Sequence, residues 1–174
     1  NMNANEVIAN RALELLGAKR GDYERLHPNS HVNLSQSTND VYPTAVRLAL
    51  HGEIEKLRVA MRELALAFKA KGTEFAPFLK MGRTQMQDAV PMTLGQEFKA
   101  FAKTLQDEVN ALERVENVLC EVSMGGTAIG TGLNAPKGYA EKCTQHLAKI
   151  TGMPMKLSED LIEATQDTQA FVLY

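Results

Sequence analysis

The sequence runs to 174 residues, with 19 basic and 21 acidic side chains, a formal charge of −2 and 44% hydrophobic residues. A chain of this length can bury roughly 70% of its extended surface in a compact fold. Charge near balance, with no Lys/Arg cluster or basic–aromatic alternation, argues against a nucleic-acid partner, and no apolar run approaches the roughly 20 residues of a membrane span.

The first predicted element is a helix over residues 5–17, with Val7, Ile8, Ala12, Leu13, Leu15 and Leu16 on its apolar side and Gly17 as a stop. A polar stretch follows from Lys19 to about Asp40, too long for a bland connector. Next comes a long helix over about 44–70. Leu50, Leu57 and Leu64 recur every seven residues, as do Ile54, Met61 and Phe68, which gives the seam of a helix packed at a shallow angle. Pro43 fits only near the start of that helix, and Gly72 is placed at its end.

Residues 73–91 hold Pro77, Gly82 and Pro91 around a polar centre and are assigned to a loop. A second long helix is expected from Thr93 to Glu121, roughly 43 Å at 1.5 Å per residue. Its seam is Leu94, Phe98, Phe101, Leu105, Leu112, Val115, Leu119 and Val122, broken by Glu108. Two such rods do not close a bundle, so self-association or further sequence must cover them. Gly125, Gly126, Gly130 and Gly132 form a turn, followed by a helix over 136–150 and a last helix opening at Ser158. No strand alternation is evident, and the fold class is all-α. The helical pattern running from Asn1 and the uncapped apolar run Ala170–Tyr174 lead us to expect a piece of a longer protein.

Three polar segments could carry chemistry. In His27–Asp40, Ser37, Thr38 and Asn39 are neutral donors beside a helix N-terminus, suited to gripping a carboxylate, although Ser, Thr, Asn and Asp also simply start helices. His27 and His31 are four apart, but Pro28 and the loop composition remove the helix that a shared metal would need, and His51 and His146 are given solvated or capping roles. In Lys80–Pro91, Gly82 permits a backbone that aims Thr84 and Gln85 together, with Arg83 and Asp88 able to pair, or the segment is a plain connector. The Gly125–Asn134 turn follows a helix and lacks a G-K-[ST] ending, so tight packing is the better reading than phosphate binding. Cys120 and Cys143, without C-x-x-C spacing, form neither a zinc site nor a disulfide scaffold and fit a reducing cytoplasm.

Four blocks together resemble the fumarase/aspartase superfamily: N-M-N-A-N-E-V-I-A-N-R-A, H-P-N-S-H-V-N-L-S-Q-S-T-N-D-V-Y-P-T-A, G-R-T-Q-M-Q-D-A-V-P-M-T-L-G-Q-E-F and G-G-T-A-I-G-T-G-L-N. Gln85, where fumarases usually carry His after G-R-T, and the block E-D-L-I-E-A-T-Q-D-T look like the aspartase branch. The resemblance implies a long-helix bundle, with residues 1–38 ending an N-terminal domain and 39–174 opening the central helical domain. It also implies a homotetramer, no cofactor and no metal.

The activity implied is reversible deamination of L-aspartate to fumarate and ammonia, by C3 proton abstraction through an aci-carboxylate. Fumarate hydration is the runner-up, and a non-catalytic assembly module is what the heptads alone favour. Ser37, Thr38 and Asn39 look like the segment holding the β-carboxylate and amino group, Thr84 like a carboxylate contact, and Gln85 like the neighbour facing the amino group. Thr84 and Gln85 are the catalytic candidates of this piece. The family's base is a serine on a G-S-S-x-M-P-x-K-x-N loop, and no such string occurs here, so this piece alone is expected to be inactive. Neither His31 nor Asp40 has a context suited to replace that serine. Ser30 stands where fumarases generally have Asp after H-P-N, so an auxiliary carboxylate site is not carried over.

Overall fold

The computed structural model describes residues 1–174. The chain forms two compact units, residues 1–49 with 119–173, and residues 50–118. Its main helices are α1 (Met2–Leu15), α2 (Thr38–Glu74), α3 (Leu94–Leu119) and α4 (Tyr139–Thr151), followed by the short α5 (Leu161–Gln166) and α6 (Gln169–Leu173).

In the second unit the two long helices run antiparallel. Gly72 of α2 abuts Gly95 and Lys99 of α3, Phe68 meets Phe98 and Phe101, and Arg58 reaches Glu113 and Glu116. As one number rises the other falls. The seam that packs is Ile54, Arg58, Met61, Ala65, Phe68 and Gly72, a 4-3-4-3-4 spacing that keeps one face inward. Half of the expected stripe is therefore corrected: Leu112 is buried at 9% exposure, but Leu57 and Leu64 are 42% and 47% exposed, on the other flank of α2. Phe98 and Leu105 are half-buried. Gly72 does not end α2, which continues to Glu74; it lets the α3 backbone approach, since a Cβ there would lie 2.7 Å from Lys99 Cγ.

The loop expected over 73–91 is instead largely a hairpin, β1 (Leu79–Thr84) with β2 (Gln87–Thr93), antiparallel from Leu79 opposite Thr93 to Thr84 opposite Gln87, with a register shift between Met81 and Arg83. Gln85 and Met86 both take positive φ, 50° and 63°, the turn geometry that matches strand twist. The ribbon buries almost no side chain, so its sequence shows no alternation; what gives it away is turn geometry and not burial. Gly82 serves close approach at the irregularity in β1, where a Cβ would sit 2.9 Å from the Val90 carbonyl. The ribbon's base is tied by Leu94 N–H to the Phe78 carbonyl at 2.8 Å and Lys80 to Glu97 at 2.6 Å. A two-stranded ribbon is marginal without such ties.

In the first unit the core is Cys120, Val122, Met124 and Met155, with Val41, Leu48, Cys143, Leu147, Ala148 and Met153 packed against it. A second short pairing, β3 (Glu121–Val122) parallel to β4 (Lys156–Leu157), brackets α4. The long helices still define the fold, but strands are present in both units. The α1 face is also corrected. Asn5, Ala9 and Leu13 face inward at i, i+4, i+8, whereas Val7, Ile8, Leu15 and Leu16 are exposed. The last helix is broken into α5 and α6 at Asp167–Thr168. No helix is long and apolar enough to cross a membrane.

Candidate functional site

The polar segment before α2 is not free loop. Residues Pro28–Val32 form a single π-helical turn capped by His27, whose Nδ1 accepts from Asn29 and Ser30 N–H at 3.1 and 3.3 Å, while His31 Nδ1 accepts from His27 N–H at 2.8 Å. A helical turn thus exists where none was expected, and both imidazoles are committed to holding it. Asn33 Oδ1 then accepts from Asn1 and Asn5 side chains at 3.0 and 2.9 Å, which fastens the segment to α1.

At the start of α2 the capping reading of Ser37–Thr38–Asn39 is realised. Ser37 Oγ accepts from Asn39 N–H at 3.2 Å, and Asp40 Oδ1 reaches back to Ser37 N–H at 2.9 Å, a reciprocal cap of the helix. Accepting that bond leaves the Ser37 hydroxyl proton available to donate. Thr38 is exposed and its hydroxyl makes no hydrogen bond within the chain, while Asn39 Nδ2 donates to the Ala128 carbonyl at 2.6 Å and keeps one proton. Pro43, inside α2, has no N–H for the Asn39 carbonyl four residues earlier. Donors therefore cluster at a helix N-terminus, the arrangement that favours an anion.

The glycine-rich turn packs tightly, as its context suggested, and it meets this cluster. A Cβ on Gly125 would lie 2.6 Å from Ala140 Cβ, and one on Gly130 would lie 2.4 Å from Ile162 Cα and the Leu161 carbonyl. Its Gly125 and Thr127 N–H groups donate to Asp40 Oδ2 at 3.3 and 2.9 Å. The first and third polar segments, some 85 residues apart, are one assembly. The second is placed in the other unit: Thr84 closes β1, Gln85 takes the first turn position, both are exposed, and Arg83 Nε pairs with Asp88 Oδ1 at 3.3 Å as expected.

Sequence reasoning missed several supporting residues. Asp40 is fully buried, although its place three residues after the capping Ser37 was a usable signal. Tyr139 lies beside Cys143 and Gln36, the neighbour of Ser37, and its phenol is pushed up to about 12 chiefly by burial and then by the adjacent thiol, against a lowering influence of Gln36. Nothing in the sequence pairs residues 36 and 139. His51, assigned a solvated or capping role, instead places Nε2 3.6 Å from Glu116 Oε1 with only 16% of its side chain exposed. Arg47 lies over the Phe171 ring at 5.1 Å, and burial lowers its guanidinium from the usual value.

Antiparallel rods, a capped helix start rich in neutral donors and a tight glycine turn locked onto it mark a helical lyase scaffold. The lyase family model matches residues 1–174, so the chain belongs to that family, within the fumarase/aspartase superfamily whose motifs it carries. It is 58% identical to the aspartate ammonia-lyase of Pseudomonas aeruginosa over 100% of this chain and 37% of that protein, and 54% identical to that of Escherichia coli over 99% and 36%. The cobalt-bound crystal structure of a fumarate lyase:delta crystallin from Brucella melitensis superposes with a TM-score of 0.90 at 58% identity, covering 98% of this chain and 37% of that one. A class II fumarase from Schistosoma mansoni gives 0.87 at 36% identity, over 99% and 39%. The chain thus spans a little over a third of the length of the relatives it matches.

Proposed function

We propose that this chain is the carboxylate-gripping part of an aspartate ammonia-lyase, which converts L-aspartate reversibly to fumarate and ammonia. The observation that carries the proposal is the donor cluster at the start of α2, where Ser37 keeps its hydroxyl proton and Thr38 is wholly uncommitted. Removing the C3 proton drives a second negative charge onto the β-carboxylate, and donors already aimed at that group stabilise the charge as it develops. In this reading Ser37, Thr38 and Asn39 hold the β-carboxylate and amino group. Thr84 contacts a carboxylate and Gln85 faces the leaving ammonia, both carried on the tip of the β1–β2 ribbon. The proton acceptor in this reading is the family's loop serine, whose G-S-S-x-M-P-x-K-x-N string does not occur among these 174 residues.

We further place residues 1–38 at the end of an N-terminal domain and 39–174 at the start of a central helical bundle. Exposed Leu57 and Leu64 support assembly into a homotetramer, since a leucine stripe on a rod needs a covering helix. Cys120 and Cys143, which form no disulfide, fit a cytoplasmic enzyme. The test is product formation by the full-length lyase. Ammonia and fumarate from L-aspartate are expected, and Thr84→Ala should lower kcat/KM by about ten-fold or more, or about 1.4 kcal/mol. Interconversion of fumarate and malate without ammonia release from aspartate would overturn the reading.

A further inference from the structure

One side chain that touches no substrate in this scheme organises the groups that would. Asp40, the third residue of α2, is completely shielded from solvent. Its Oδ1 accepts from Ser37 N–H at 2.9 Å, and its Oδ2 accepts from Gly125 N–H at 3.3 Å and Thr127 N–H at 2.9 Å. Gly125 and Thr127 take φ of 87° and 57°, which curls the backbone so that its N–H groups converge into an anion-binding hollow. The anion in that hollow is the chain's own carboxylate, so the turn that resembles a phosphate cradle is already filled. Thr127 is β-branched in a left-handed conformation, a strain that persists only where the surroundings enforce it. Asn39 adds a second tie, to the Ala128 carbonyl at 2.6 Å.

We infer that Asp40 is a positioning residue for the elimination: it locks the Ser37–Thr38–Asn39 turn to the rigid glycine turn and so fixes where the hydroxyl donors point. The inference rests on the function proposed above. The glycine turn is suited to be the fixed side of the lock, because Gly125 and Gly130 leave no space between its backbone and residues 140 and 161–162. An amide at position 40 has one acceptor oxygen instead of two, so it can hold either Ser37 or the Gly125–Thr127 pair, and its NH2 opposes the N–H groups on the side it abandons. Released donors shift by a fraction of an ångström. Such a shift weakens binding of the doubly charged aci-carboxylate more than that of the ground-state substrate, because the extra charge exists only beyond the ground state.

The experiment uses the full-length lyase with Asp40→Asn, Asp40→Glu and, as a control, Met155→Ala, which opens the core of the same unit but removes none of the hydrogen bonds that hold this turn. For Asp40→Asn, kcat for aspartate deamination should fall about 30-fold or more while KM stays within about three-fold. Met155→Ala should lower the melting temperature yet keep kcat within about two-fold. Asp40→Glu keeps the charge in the hollow and lengthens the arm by one methylene, so it should fold and still lose kcat; it decides the matter by the same criterion if the asparagine variant does not fold. An active wild type whose Asp40 variants lose no more kcat than Met155→Ala overturns the inference alone. A wild type that releases no ammonia from aspartate overturns the proposed function and this inference with it.

Discussion

Replacing Gly130 by alanine should be among the most damaging single changes in the first unit, and the structure lets its cost be divided. Gly130 has φ of 92°, and the added Cβ would lie 2.4 Å from Ile162 Cα, 2.4 Å from the Leu161 carbonyl oxygen and 2.5 Å from Ile162 N. All three obstacles are backbone, so no side-chain rotation relieves them. Ordinary contact begins at 3.4 Å, so α5 must retreat by 3.4 minus 2.4, or 1.0 Å. The left-handed backbone costs about 1 kcal/mol for alanine, and overpacking of this kind adds about 2 kcal/mol, together about 3 kcal/mol. For a chain of this size that lowers Tm by about 6–12 °C. Gly17→Ala is the internal control, because Gly17 has φ of 71° but nothing within 4 Å of the added Cβ. It should lose only the backbone part, about 1 kcal/mol. Urea unfolding of both variants, followed by circular dichroism, measures the difference directly. If Gly130→Ala costs no more than Gly17→Ala, the close approach of the turn to α5 is refuted.

Arg58→Ala should cost about 2 kcal/mol, because the side chain is only 10% exposed and truncation removes both its packing and the 2.7 Å ion pair, taking from Glu116 its shortest ion-pair partner. Arg62→Ala, whose side chain is 40% exposed against Glu55, should change stability by less than about 0.5 kcal/mol; equal effects in denaturant titrations would contradict the ranking. Ultraviolet titration of the four tyrosines should show one late component near pH 12, absent in Tyr139→Phe. Since the folded phenol holds its proton above the ordinary value of 10, stability from this group is intact below pH 10 and lost as pH rises from 10 towards 12; a Tyr139→Phe variant with the same alkaline decline would count against it. Gly95→Ala should separate α2 from α3, since its Cβ would meet the Gly72 carbonyl at 2.5 Å. Loss of about 2–3 kcal/mol is expected in denaturant unfolding, and a neutral result would contradict the antiparallel contact.

The sequence by itself determined the long helices and the identity of the polar segments. Heptad leucines and phenylalanines repeat over many turns, and a signal of that length survives any local exception. The cap pairs Ser37 with Asp40, and Thr93 with Gln96 at 2.8 and 3.1 Å, are local and set by three-residue spacing, so they were legible in the sequence too, although Asp40 and Gln96 were missed. Which flank of α2 faces inward was a tertiary decision: both the Ile54–Met61–Phe68 and the Leu50–Leu57–Leu64 stripes are apolar, and only the first meets α3. The β1–β2 ribbon escaped because it buries no face, so period-two alternation had nothing to record. The polar core of the site was likewise beyond reach of pattern. Asp40 with Gly125 and Thr127, and Gln36 beside Tyr139, bring together residues 85 to 103 positions apart, and a contact across such a separation leaves no periodicity for a sequence to show.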